Sequence, residues 1–254
     1  MRKKICIALI TAFTVLLGVS GYFIFNHYRE AEQQAQMYDS LAQIVEDSKT
    51  EPAEQIPYSE DKTILPELTE LYQQNNDLVG WICVEDTNIN YPVMQTVDSP
   101  NYYLKRGFDK EYSSYGCPYV QEDCDVLKPS DNLVIYGHHM NDGSMFNVIS
   151  DTTDQATFDS IEYVYYITRD ATYKLRPLAT KVVEDTYSKA RTPNFEGDDG
   201  LKNYLSEMLD GASAVASDAT DRAASATKVV TLVTCRSLSF SNTRAVMVLT
   251  PVEE

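Results

Sequence analysis

The chain has 254 residues, 43% of them hydrophobic and including 18 Tyr and 8 Phe, enough for a sizeable core in one large domain or two small ones. Ten Gly and ten Pro are too few for a collagen-like or low-complexity chain. The formal net charge of −17 leaves no basic face for phosphates, so no nucleic-acid partner is expected, and no internal repeat suggests a solenoid.

The charge is unevenly placed. Residues 1–29 hold Arg2, Lys3, Lys4 and Arg29 and no acid, which leaves 17 bases against 38 acids beyond them. Ile5 to Phe25 is a run of 21 residues without a charge. As a helix it would be about 31 Å long, close to the hydrocarbon thickness of a bilayer. The three bases before it favour a cytoplasmic N-terminus, and Tyr22, Phe23, Phe25 and Tyr28 sit where an aromatic belt would lie. A cleaved signal peptide would have a shorter apolar region and a small-x-small site, for which Gly18-Val19-Ser20 is a weak candidate. The uncleaved anchor is the preferred reading. Either way, the rest of the chain is expected outside the cytoplasm.

Residues 30–45 have helical composition, and residues 47–63, with Pro52 and Pro57, read as a polar spacer. The expected organisation is therefore a cytoplasmic tip and single membrane span over 1–29, a stalk over 30–63 and an extracellular globular domain over 64–254. Leu65 to Asn75 predicts a short helix with Pro66 in its first turn. Short stretches rich in β-branched and aromatic residues follow at 79–84, 88–93, 132–137, 161–168, 172–183, 228–235 and 244–250. They predict a mainly β domain, an antiparallel barrel or sandwich. One long connection interrupts it. There Leu201, Leu205 and Leu209 predict a helix over 198–209, which Gly211 would stop.

Three His and five Cys narrow the chemistry. No paired Cys or His spacing suits zinc, and neither a metal nor a cofactor is expected. Cys117 and Cys124 share one loop and would either pair, as thiols outside the cell tend to, or both remain thiols. Cys83 reads as a core thiol. Cys235 differs: it ends an apolar strand and is followed by Arg236 and Ser237. A thiol at a strand end beside a guanidinium or imidazolium is favoured as a thiolate. His138 and His139 follow the strand at 132–137 and supply the candidate imidazole.

These residues stand in patterns that resemble the sortases. Thr231-Leu232-Val233-Thr234-Cys235 matches the TLxTC signature, with Arg244 nine residues after the Cys. Tyr136-Gly137-His138-His139-Met140 and the following Asn141 to Phe146 resemble the histidine segment of class B. Residues 79–82, 87–93 and 101–104, with Gly116, resemble that class's earlier segments, in the family's order, so that the likeness spans about 76–250.

The resemblance implies a closed sortase-type β-barrel of about eight strands, with added helices at the N-terminus and in the long connection. It implies a membrane-anchored cysteine transpeptidase of Gram-positive bacteria. Such an enzyme cuts a C-terminal sorting signal of a surface protein after Thr. It then joins that Thr to an amine of a peptidoglycan precursor, or sometimes of a pilin. By the same resemblance Cys235 is the nucleophile, His138 the general acid and base, and Arg244 the oxyanion or backbone clamp, with Arg236 as the competing Arg. Leu104 and Thr234 would line the sorting-signal groove. Two departures from class B bear on substrate preference: Gly116-Cys117-Pro118-Tyr119-Val120 replaces a small-Ser-Ile-Phe pattern, and Arg236 replaces an acidic or polar residue.

Two other readings compete. An L,D-type cell-wall transpeptidase is also extracellular and β-rich, but its Ser-x-Gly-Cys context is absent before Cys235. A non-enzymatic anchored binding domain would make Cys235, His138 and Arg244 coincidental.

Overall fold

Residues 2–50, 56–59, 62–197, 199–235 and 242–252 are described in a computed structural model of the chain. The first helix, α1 (Arg2–Thr50), carries an 18-residue window of mean hydropathy 2.1, none of it buried. By length and composition it is able to cross a membrane. Leu9, Phe13 and Phe23 are each about two-thirds exposed to the surroundings, an arrangement that water penalises and a bilayer does not.

The compact unit that carries the barrel includes the chain from Leu41 onward, and Leu41 and Val45 of α1 are buried in it. Residues 51–55 and 60–61 of the expected spacer lie outside the described residues. Beside them β1 (Pro57–Ser59) and β2 (Lys62–Thr63) form a small antiparallel pair. Helix α2 (Pro66–Gln74) opens at Pro66, whose missing N–H costs nothing in a first turn, and buries Leu68 and Leu71.

Eight strands then close a ring. They are β3 (Leu78–Val84), β4 (Asn90–Met94), β5 (Tyr119–Val120), β6 (Asn132–Tyr136), β7 (Val164–Thr168), β8 (Thr172–Glu184), β10 (Val229–Cys235) and β11 (Thr243–Pro251). Their order is β11-β10-β6-β5-β4-β3-β7-β8, and β8 pairs with β11 to shut the barrel, while β9 (Ala214–Val215) hangs on β8. The expected antiparallel sheet proves to be mixed: β4 pairs with β5, and β6 with β10, in parallel. The reason is connectivity. A parallel neighbour needs a crossover, and the chain between β6 and β10 supplies one. That crossover carries α3 (Asn147–Asp151), α4 (Gln155–Ser160), α5 (Gly200–Leu209) and α6 (Ala219–Ser225).

The helices explain why some strands read as unbroken apolar runs. β10 and β11 are buried along nearly their whole length, because helices pack on them as well as the barrel core. α3 contacts both strands, the Tyr204 hydroxyl of α5 lies 3.1 Å from Thr231 Oγ1 of β10, and Arg222 Nη1 of α6 donates to Thr250 Oγ1 of β11 at 3.2 Å. α5 buries Tyr204, Leu205 and Met208, so only the middle residue of the expected leucine stripe is fully interior. Tyr204 completes a buried network: Thr231 Oγ1 donates to Asn132 Oδ1 at 2.7 Å and lies 3.1 Å from the Tyr204 hydroxyl, while Asn132 Nδ2 donates to Thr192 O at 3.0 Å. These groups tie β6, β10 and α5 together with their polar atoms paired.

Cys117 and Cys124 are buried and not bridged to each other. Cys117 Sγ lies 3.5 Å from Pro92 O, whereas Cys124 Sγ meets Asn132 O at 3.6 Å and accepts from Val134 N at 3.5 Å. Burial pushes the Cys124 thiol up to about 11, so it is a neutral core group. Cys83 is half-buried, and its thiol is likewise raised by burial.

Candidate active site

Strand registers bring the candidate residues to one end of the barrel. On β10 and β6, Val233 stands opposite Tyr136, so two residues further on Cys235 comes level with His138. On the other side of β10, Cys235 pairs directly with Arg244 of β11. All three line one cleft of about 490 Å³, and Leu104 and Thr234 line it too. The five residues singled out in the sequence therefore meet in a single groove. Arg236 and Ser237 lie outside the described residues.

His138 is held by packing and by a hydrogen bond. Gly137 precedes it where a Cβ would stand 2.4 Å from the ring of Phe146, so only glycine fits without a shift. The backbone N–H of Gly137 donates to Val233 O at 3.1 Å, and that of Phe146 to His138 O at 2.7 Å. His138 Nε2 lies 2.6 Å from Leu104 O. A carbonyl only accepts, so Nε2 carries the proton there and Nδ1 is the open nitrogen of the neutral ring. Burial lowers the His138 pKa; the bond to Leu104 O opposes this and the charge of Lys105 adds to it.

Leu104 sits on the 3-10 turn at Tyr102–Lys105, with its side chain 38% exposed toward the groove. The turn is anchored from below by Tyr103, which is buried. Its hydroxyl accepts from Asn75 Nδ2 and donates to Asp77 Oδ2, each at 2.8 Å. Arg244 is half-buried, and its Nη1 donates to Thr243 O at 3.2 Å. Behind it lies a smaller cavity of about 130 Å³ with Glu184, Asp185 and Arg191 on its wall. Thr234 is 2% exposed, and its Oγ1 has no hydrogen-bond partner among the described residues.

Several groove residues were not singled out as site residues from the sequence. Tyr119 and Tyr136 stack with ring centroids 5.4 Å apart across β5 and β6. Tyr119 donates to Asn101 Oδ1 at 2.8 Å and Tyr136 to Gln121 Oε1 at 2.5 Å, while Gln121 Nε2 donates to Arg191 O at 2.9 Å. Burial pushes Tyr136 up to about 12, so its hydroxyl stays a neutral donor. β5 has only two residues, too short to show a strand period, and so its pairing was invisible beforehand. Among the described residues no group of three or more His, Cys, Asp and Glu is placed to hold a metal ion.

A thiol, an imidazole and a guanidinium facing one groove are the parts of nucleophilic acyl transfer. No family model matches the chain. It is 24% identical to sortase B of Staphylococcus aureus over 253 residues, 99% of this chain and 98% of that protein. In structure it matches a Staphylococcus aureus sortase B–substrate complex with a TM-score of 0.75 at 23% identity, over 89% of this chain and 99% of that one. It also matches sortase B of Bacillus anthracis in complex with AAEK1, with a TM-score of 0.73 at 25% identity, over 89% of this chain and all of that one. In sequence along its whole length, and in the closed barrel that brings Cys235, His138 and Arg244 together, the chain is sortase B-like, and these likenesses point to a cysteine transpeptidase.

Proposed function

We propose that the chain is anchored by the N-terminal half of α1 with its barrel outside the cell, where it cleaves a C-terminal sorting signal after Thr and transfers the new C-terminus to an amine of a peptidoglycan precursor. The observation that carries this reading is the single groove shared by Cys235, His138 and Arg244. The Staphylococcus aureus relative was solved with a substrate, which supports a peptide in the corresponding groove here.

In the first half-reaction Cys235 Sγ attacks the Thr carbonyl carbon. Its proton passes to Nδ1 of His138, which the lowered pKa keeps open at neutral pH. Arg244 faces the developing oxyanion, and a charged donor in a partly dry groove acts there with no reorganisation. Collapse of the tetrahedral intermediate expels the amine, which takes the proton from His138 and leaves a thioester on Cys235. In the second half-reaction the incoming amine gives a proton to His138, attacks the thioester and releases Sγ. Leu104 offers its half-exposed side chain to the signal, and Thr234, almost fully buried, lines the groove beside Cys235.

Trapping the intermediate tests this reading. The full-length chain in detergent is mixed with excess sorting-signal peptide, quenched in acid and weighed by mass spectrometry. A mass gain equal to the peptide up to its Thr, located on Cys235 and absent from Cys235→Ala, is expected. No adduct on any peptide, or one on another residue, contradicts it.

A further inference from the structure

The second histidine is as firmly placed as the first, and the reaction scheme above does not use it. Consecutive residues of an extended chain face opposite ways, so His138 and His139 send their rings to different neighbours. His138 reaches Leu104 O, and His139 Nδ1 lies 2.9 Å from the backbone carbonyl of Cys235. The carbonyl can only accept, so this Nδ1 carries a proton.

The position of that bond in the sheet is informative. In a parallel pair, backbone bonds recur every second residue. Gly137 N donates to Val233 O at 3.1 Å, and the next rung would place a donor of residue 139 on the carbonyl of residue 235. The imidazole Nδ1 of His139 fills that rung, where β6 has already ended at Tyr136. The sheet is thus extended by a side chain to the last residue of β10, the residue whose thiol faces the groove.

His139 is itself fixed. It bridges Met145 in an antiparallel pair, and Phe146 N holds His138 O. Met145 adopts φ 57°, a strained value for a side chain of its size, and its N–H donates to Tyr91 Oη at 3.2 Å. Asn88 Nδ2 holds Gly143 O at 2.6 Å, and Tyr115 Oη donates to Asp142 Oδ2 at 2.6 Å. One stiff loop therefore grips the backbone of Cys235 with one ring and presents the other ring to the groove.

We propose that His139 is a positioning residue: its Nδ1–H on Cys235 O sets where the thiol stands relative to His138. The proposal rests on the reaction assigned above, so its test has one arm that needs no sorting signal. His139→Ala removes the donor. His139→Asn returns an amide N–H at the place of Nδ1, whereas His139→Gln carries its N–H one bond further out. In the full-length chain, kcat and KM for signal-peptide cleavage and the rate of Cys235 alkylation by iodoacetamide, read on the Cys235 peptide, are compared with the melting temperature.

His139→Ala and His139→Gln should lose about 10- to 100-fold in kcat with KM within about twofold, since a displacement near 1 Å costs about that much. They should also alkylate several-fold more slowly, and His139→Asn should recover most of both. Equal losses in all three variants, or a loss that follows the melting temperature, overturn the proposal. So does alkylation of His139→Ala at the wild-type rate. If wild type cleaves no peptide while the alkylation pattern holds, the positioning stands and the assigned reaction fails.

Discussion

Replacing Gly137 with Ala tests whether His138 is held by close packing. The added Cβ would stand 2.4, 2.5 and 2.8 Å from three ring carbons of Phe146. Carbon atoms in contact prefer about 3.5–4.0 Å, so the ring or the backbone must retreat by about 1 Å. Phe146 has no free side to retreat to, being 0% exposed, and its N–H is bonded to His138 O. Overpacking of this kind costs about 1–3 kcal/mol. At about 2–4 °C per kcal/mol for a body of this size, the melting temperature should fall by about 2–12 °C. A shift near 1 Å in His138 should cost about 100-fold in kcat. Thermal unfolding followed by circular dichroism and peptide-cleavage kinetics measure the two effects. Adding Phe146→Leu to Gly137→Ala should restore part of the melting temperature by making room. A Gly137→Ala chain that melts and turns over like wild type would refute the reasoning, because the ring would then be free to move.

Four further outcomes are expected. Arg244→Ala should lower kcat by about 10²–10³-fold, as loss of an oxyanion donor does, with an unchanged circular dichroism spectrum. Asn132→Leu should destabilise the fold by about 1–3 kcal/mol, because it takes the Asn132 donor from Thr192 O and leaves Thr231 Oγ1 with only the Tyr204 hydroxyl; denaturant unfolding measures it. His138 has a lowered pKa, so between its folded value and 6.5 the unfolded chain binds more protons and stability rises with pH. That stability is complete above 6.5 and is lost as pH falls through the folded value. Consequently His138→Gln should lose less melting temperature than wild type between about pH 7.5 and 5. Cys117 and Cys124 are not bridged, so a reductant should leave the melting temperature unchanged, which differential scanning calorimetry checks.

Cys235 and His138 were legible as candidates because one ends and the other follows a strand with a strong local pattern, whereas Arg244, near the start of β11, was picked out by its spacing from Cys235 in the resemblance. Thr231 to Cys235 and Leu133 to Tyr136 are short β-branched and aromatic runs, and both end in the groove. Strand direction was not legible. The parallel pairing of β6 with β10 depends on the crossover between them, and three of its four helices are seven residues or shorter, too brief to show a helical period. The cysteine pair was open to two readings from spacing alone, and the structure decides it by burying each thiol against a different carbonyl. The aromatic wall of Tyr119 and Tyr136 was hidden for a related reason. It depends on a register between a two-residue strand and its neighbour that no single segment encodes. The same holds for His139, whose partner is a backbone atom 96 residues away.

The most direct test of the account is hydroxylamine-dependent cleavage. The full-length chain in detergent is incubated with fluorogenic Asn-Pro-x-Thr, Ser-Pro-x-Thr-Gly and Leu-Pro-x-Thr-Gly peptides, with and without hydroxylamine, beside Cys235→Ala. The account predicts cleavage after Thr of at least one peptide, a hydroxamate at the new C-terminus, and no product from Cys235→Ala. Cleavage that survives in Cys235→Ala, or no turnover of any of the peptides, would contradict it.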